Sequence, residues 1–298
     1  MIRRLLLAGA AFTAGCAPGS RGTPAVAVPA LIPTAGAPTT APVTEGPSAH
    51  PPDVVRYGPS ALRYVVHRQV HIQQTLGDRP QAQNVGARIF VATAITGPAD
   101  SIGYPATFLV DSIVADSGTP PPIVDNVSKV RKLVFAGRVA PRGEFVNVLA
   151  SDSALAQSVV QLLGNFRDFL PRLPIGGVKP GAAWTDTVET TQKGSGSEVS
   201  RRTITLSTAA GWEDRLGARS VRLEGSQTYQ VVGGGKNAGQ PFELSGAGAG
   251  NGVAYIAADG RYLGGEWQDS TALTVRLPMQ GQAVPVVQVT RTVVAVLP

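Results

Sequence analysis

The chain has 298 residues, 43% hydrophobic and only 15% charged, with 35 Gly, 24 Pro, a single Cys and a formal net charge of +6. Charge this far below the roughly 25% of an average soluble domain, in a glycine- and proline-rich chain, excludes a coiled coil or a charge-laced helical bundle. One thiol excludes both an intramolecular disulfide framework and a multi-cysteine zinc site.

In chain order, Met1-Ile2-Arg3-Arg4 is a short positive segment followed by the apolar run Leu5 to Phe12. This is the layout of a secretory signal, too short for a permanent membrane span. It ends in Thr13-Ala14-Gly15-Cys16, small residues before the only thiol. That ending resembles the lipobox of bacterial lipoproteins, with Thr13 where the pattern usually carries an aliphatic residue. The resemblance implies removal of residues 1–15, a diacylglycerol on the Cys16 sulfur and acylation of the new amino terminus. One acyl chain, at about 0.8 kcal/mol per buried methylene, holds a protein only reversibly, whereas two or three hold it stably. Ala17 rather than Asp follows the anchor, which by likeness to enterobacterial sorting points to the outer membrane. Loss of Arg3 and Arg4 with the signal takes the charge from +6 to about +4.

Residues 16–53 read as the lipidated Cys and a Pro/Ala/Thr-rich tether. Prolines from Pro18 to Pro52 deny it both a helix and a sheet ladder. Fully extended at about 3.1 Å per residue, it spans on the order of 110 Å. Residues 54–298 read as a single β-rich domain. Tyr64, Val66, Arg68, Val70 and Ile72 alternate with Val65, His67, Gln69, His71 and Gln73, giving one apolar and one polar face with a single charge, Arg68, out of place. The same alternation recurs in 202–207, 221–225, 262–275 and 286–296, and Asp259-Gly260 is a strong hairpin signal. A long antiparallel sheet is expected.

Two stretches change period. Leu155, Val159, Leu162, Phe166 and Phe169 have helical spacing over Ser153 to Leu170, with Asp152 or Ser153 as cap and Pro171 as stop. Ile123, Val127, Val130 and Val134 have the same spacing after three prolines and predict a second helix, although Val also favours strands. The fold class is therefore mainly β (α+β), a long curved antiparallel sheet or half-barrel with one or two covering helices.

Candidate chemistry is sparse. His67 and His71 are four apart, but on a strand that is about 13 Å, too far to share one ion. Gly233-Gly234-Gly235-Lys236 has neither the spacing nor the following helix of a phosphate loop and reads as a hairpin loop. Gly246 to Gly252 lacks paired Asp and reads as a glycine-rich strand or bulge open to close approach by a backbone or a ligand. Gly194-Ser195-Gly196 sits between strands rather than at a nucleophile elbow. Asp111 with Asp116, and Glu213 with Asp214, are neighbours in sequence only. Trp184, Trp212 and Trp267 read as core or rim packing. Neither catalytic residues, a cofactor nor a metal site is expected, and nothing here suits nucleic acid.

The segment Leu170-Pro171-Arg172-Leu173-Pro174, followed by Val178-Lys179-Pro180-Gly181-Ala182-Ala183-Trp184-Thr185-Asp186, resembles a phrase that recurs in uncharacterised bacterial lipoproteins. The order of strands, helix and long strand meander is similar to the lipoprotein-localisation-factor superfamily, in which a curved half-barrel is closed by helices. That resemblance implies a lipid-anchored envelope protein that binds or carries a hydrophobic ligand, a lipid or acyl chain, in the concavity of its sheet, and the lack of a catalytic motif makes it a non-enzyme by expectation. The alternative is a structural or protein-interaction lipoprotein without a small ligand. A pore-forming barrel is disfavoured because 6% aromatic residues are too few for two girdles.

Overall fold

The computed structural model describes residues 53–76, 79–128, 130–156, 169–194, 196–237 and 239–298. The expected signal, Cys16 and nearly all of the tether lie outside them. Eleven strands run in chain order: β1 (Ser60–Leu76), β2 (Arg79–Ile95), β3 (Tyr104–Ala115), β4 (Arg131–Val139), β5 (Phe145–Ala150), β6 (Ala183–Gly194), β7 (Ser197–Arg215), β8 (Ala218–Asn237), β9 (Gln240–Ala257), β10 (Tyr262–Leu277) and β11 (Gln282–Leu297). A short helix, α1 (Pro121–Val127), lies between β3 and β4, and a single 3-10 turn (Pro278–Gln280) joins β10 to β11. All strands join one antiparallel sheet in the order β5-β4-β3-β2-β1-β11-β10-β9-β8-β7-β6. It is a meander cut open between β5 and β6, with the chain's first and last strands paired at its centre.

The sheet is rolled. Laid flat, strands about 4.8 Å apart would hold β5 and β6 roughly 50 Å from each other. Yet Arg142, in the turn between β4 and β5, makes a 2.7 Å ion pair with Asp186 of β6. Register shifts in β2–β3, β4–β5, β7–β8 and β9–β10 all lie toward this end of the sheet, where bulges add bend and twist.

Alternation then assigns the faces. Tyr64, Val66, Arg68, Val70 and Ile72 stand opposite Val91, Ile89, Ala87, Val85 and Gln83 of β2 and share one face with them. This face carries the buried residues and lines the inside of the roll. The outer face carries ion pairs, Arg202 with Glu189 and Arg291 with Glu266 across strands and Arg222 with Glu224 along β8, among exposed apolar residues such as Ile204 and Val287. In a bilayer, Arg at mid-depth would cost about 2–4 kcal/mol each, so this surface is built to meet water. Among the described residues no helix is long and apolar enough to cross a membrane.

One end of the roll is plugged by the segment preceding β1 and the one preceding β6. Val55 and Val178 exchange two backbone hydrogen bonds, and the Tyr57 hydroxyl donates to the Pro171 carbonyl at 2.5 Å. Leu170, Leu173 and Val178 are buried beneath them. The Phe169 ring meets Tyr64, Phe108 and Tyr262, from three strands, at centroid distances of 5.2–5.8 Å. Arg172 pairs with both Glu144 and Asp186 and so bridges the seam between the two sheet edges. The Leu-Pro-Arg-Leu-Pro phrase thus has a structural role as the closing strap.

Two expectations change, and a third falls largely outside the described residues. The helix anticipated over Ile123 to Val134 stops at Val127, and Val134 belongs to β4. Helical spacing and β-branching compete there, and pairing with β3 wins. Of Ser153 to Leu170, the first turn at 153–156 is helical, with the Asp152 carboxylate accepting from the Leu155 amide at 2.8 Å. Phe169 and Leu170 lie in a bend, and 157–168 fall outside the described residues. Gly233 to Lys236 is not a hairpin loop but the end of β8. A Cβ at Gly233 would come within 2.6 Å of the Glu198 carbonyl oxygen, so absent side chains let β7 lie close alongside.

Candidate functional site

The inner face holds two separate apolar zones. The larger spans the plugged end, and the smaller joins Ile72, Phe242, Leu244, Val275, Leu277, Val284 and Val286 toward the opposite end of the strands. Between them the register places a polar belt. Arg68 of β1 stands opposite Thr292 of β11, which stands opposite Trp267 of β10. One step along, Thr290 faces Asp269, and one further, Gln288 faces Thr271.

Glycines shape the floor of this belt. Gly246, Gly248, Gly250 and Gly252 of β9 occupy alternate positions and so point inward together. Their neighbours fill the space that side chains would take. A Cβ at Gly252 would lie 2.2 Å from the Trp267 ring, one at Gly225 2.8 Å from the same ring, and one at Gly248 2.4 Å from Tyr229 Cζ. The close approach anticipated for this run is therefore made by the chain's own aromatic side chains, laid down against bare backbone.

Tyr229 organises the polar groups. Its hydroxyl donates to Asp269 Oδ1 at 2.8 Å and is hydrogen-bonded to the Thr271 hydroxyl. The Arg201 guanidinium sits 3.7 Å from the centre of its ring, a cation–π contact. Burial, together with the neighbouring Asp269 carboxylate, pushes the Tyr229 pKa up to about 12. The phenol therefore stays protonated and acts as a donor.

Arg68 is the unusual member. Its Nε is sealed from solvent and has no hydrogen-bond partner. Burial lowers its pKa, with Asp269 opposing and Arg201 adding to that effect. The belt holds two guanidiniums and one carboxylate, one positive charge in excess inside a rolled, largely apolar sheet. Such a surface can hold an amphiphilic molecule, chain against the apolar zones and polar end at the belt.

No family model and no curated protein matches this chain. Solved structures with some similarity are DynF from the dynemicin biosynthesis pathway of Micromonospora chersina (9% identity, 87% of this chain and 92% of that one, TM-score 0.21) and a BenF-like porin from Pseudomonas fluorescens (9%, 80% and 99%, 0.26). A DUF1329 family protein from Desulfovibrio piger is a third (10%, 78% and 83%, 0.14). Overlaps this slight carry nothing over to the belt.

Of the residues singled out from sequence, Arg68, Trp267 and the Gly246 to Gly252 run lie in the belt and the others sit elsewhere. His67 and His71 share the outer face but have different partners, His67 Nε2 with Asp116 at 2.7 Å and His71 Nδ1 with Asn84 at 2.6 Å. Asp111 pairs with Arg63 and Asp116 with His67, so the two carboxylates do not form a pair. Asp214 is engaged by Arg219. Trp184 and Trp212 pack against the core, as expected. Ser195 lies outside the described residues, as does Cys16. Arg201, Tyr229 and Asp269 were not anticipated. Arg68 carried the one available signal, a charge on the apolar side of an alternating strand.

Proposed function

We propose that this chain is a lipid-anchored protein of the bacterial envelope, attached through Cys16 on the outer membrane and facing the periplasm or the cell surface. Its rolled sheet binds a hydrophobic ligand, a lipid or an acyl chain, along the inner face and catalyses no reaction. The observation that carries this reading is the division of the inner face. One apolar zone is the core of the plugged end, and a second, around Phe242, Leu244, Val275 and Val284, is separated from it by the polar belt. A sheet needing only a core would join them.

Native mass spectrometry of the full chain extracted from its host envelope tests the ligand. Bound lipid-sized mass is expected, and a bare protein would overturn the reading. Palmitate labelling is expected to disappear in Cys16→Ser, and labelling that persists would refute the anchor. The alternative, a protein-interaction lipoprotein, draws on the edges of β5 and β6, which among the described residues have no strand neighbour on one side. Stable capture of an envelope protein by crosslinks placed in β6, with no lipid bound, would favour it.

A further inference from the structure

We infer that the inner face selects a single-chain amphiphile with an anionic head, a carboxylate or a phosphate, and that Arg68 is the group that recognises the head. The inference rests on the hydrophobic-ligand reading and adds the chemical class of the ligand.

Three observations lead to it. First, Arg68 stands in the apolar row of β1, opposite Ala87 and Thr292, with its Nε out of water and without an acceptor. Guanidinium is never uncharged near neutral pH and carries five donors, so a partly buried one normally meets a carboxylate or phosphate. Second, the groups nearest in kind are already engaged. Asp269 accepts from Tyr229, and Arg201 lies on the Tyr229 ring with its Nε donating to Thr203. Two cations and one carboxylate leave an unanswered positive charge at Arg68, whose residue as a whole keeps part of its surface exposed. Third, that charge is placed at the end of an apolar track. Beyond it on the same face of β1 come Val70 and Ile72, and Leu273, Val275 and Val286 from β10 and β11 belong to or pack on the same apolar zone. From Arg68 to Ile72 the strand advances about 13 Å, enough to lay much of an acyl chain beside a head held at Arg68.

The test is a calorimetric titration of the full chain with laurate, lauryl phosphate and the uncharged monolaurin, all below their micelle concentrations. Tighter binding of at least one anion than of monolaurin, by about tenfold or more, is expected from a charge-assisted hydrogen bond to a desolvated guanidinium. Whichever anion is preferred identifies the head as carboxylate or phosphate. Arg68→Met is expected to bring the anions to the level of monolaurin and leave monolaurin unchanged. Arg68→Lys should retain part of the preference, and Arg202→Met, on the outer face, should change nothing. Equal binding of all three by the unaltered protein overturns the anionic head while leaving a hydrophobic ligand standing. Preference that survives in Arg68→Met overturns the role of Arg68. Failure of all three to bind removes the underlying reading as well. The comparison of ligands on the unaltered protein needs no variant to fold.

Discussion

Gly225 offers a direct test of how the belt floor is built. A Cβ placed there meets two atoms of the Trp267 ring, at 2.8 and 2.9 Å, and nothing else within 4 Å. Gly to Ala within a strand, at a backbone conformation alanine adopts without strain, normally stabilises by about 0.4–1 kcal/mol through the unfolded chain. Here the new methyl group must push the indole off the sheet, and overpacking of this kind costs about 1–3 kcal/mol. Gly225→Ala is therefore expected to destabilise the protein in the native background and to be neutral or stabilising in Trp267→Leu. The gain through the unfolded chain is common to both backgrounds and cancels, so the swing between them is the overpacking cost, about 1–3 kcal/mol, above the error of urea denaturation read by circular dichroism. An equal cost for Gly225→Ala in both backgrounds would refute the packing of Trp267 on glycine.

Further outcomes follow from the seam, the plug and an exposed turn. Asp186→Ala removes one of the two carboxylates that Arg142 and Arg172 share across the seam, leaving Glu144 as the other, and is expected to cost about 1–3 kcal/mol and to speed amide exchange at Leu173, whose N–H donates to the Arg142 carbonyl. Tyr57→Phe removes the buried donor to the Pro171 carbonyl and should cost about 1–2 kcal/mol in urea denaturation. Hydrogen bonds from Arg138 and then from the Gly103 and Ile102 amides hold the Asp100 carboxyl at about 2, below its ordinary 3.8. Because the folded value is the lower one, the support this turn gives is complete above about pH 4 and is lost as pH falls toward 2. Carboxyl NMR titration should place the Asp100 midpoint near 2, and Asp100→Asn should flatten the dependence of stability on pH in that window.

Much of the sheet was legible because alternation is a local signal. The face assignment of β1 follows from Tyr64, Val66 and Ile72 alone, and the hairpin at Asp259-Gly260 is present, with Gly260 at a φ of 89°. Where two local signals conflict, sequence reading misleads. Val127, Val130 and Val134 fit a helical period, but Val127 ends α1, Val130 lies between the two elements, and Val134 is taken by the pairing of β4 with β3, opposite Leu109. Gly233 to Gly235 look like a loop because glycine marks turns, whereas here it permits strands to lie close. Closure of the roll was not legible at all. The Arg142–Asp186 pair joins residues 44 apart and the Tyr57–Pro171 hydrogen bond residues 114 apart. Both depend on how far eleven strands curl, which no local pattern reports. The belt lies between these cases: Arg68 was visible as an exception in its strand, but its meeting with Arg201, Tyr229 and Asp269 needs three other strands on the same inner surface.

The most direct measurement is photo-labelling of the full chain with a diazirine-bearing fatty acid, followed by mapping of the modified residues by peptide mass spectrometry. Labels are expected on inward-facing positions of β1, β10 and β11, around Val70, Ile72, Leu273 and Val286, with competition by unlabelled laurate. Labels confined to outward positions such as His67, Gln268 or Val287, or labelling that laurate does not reduce, would contradict a ligand site on the inner face.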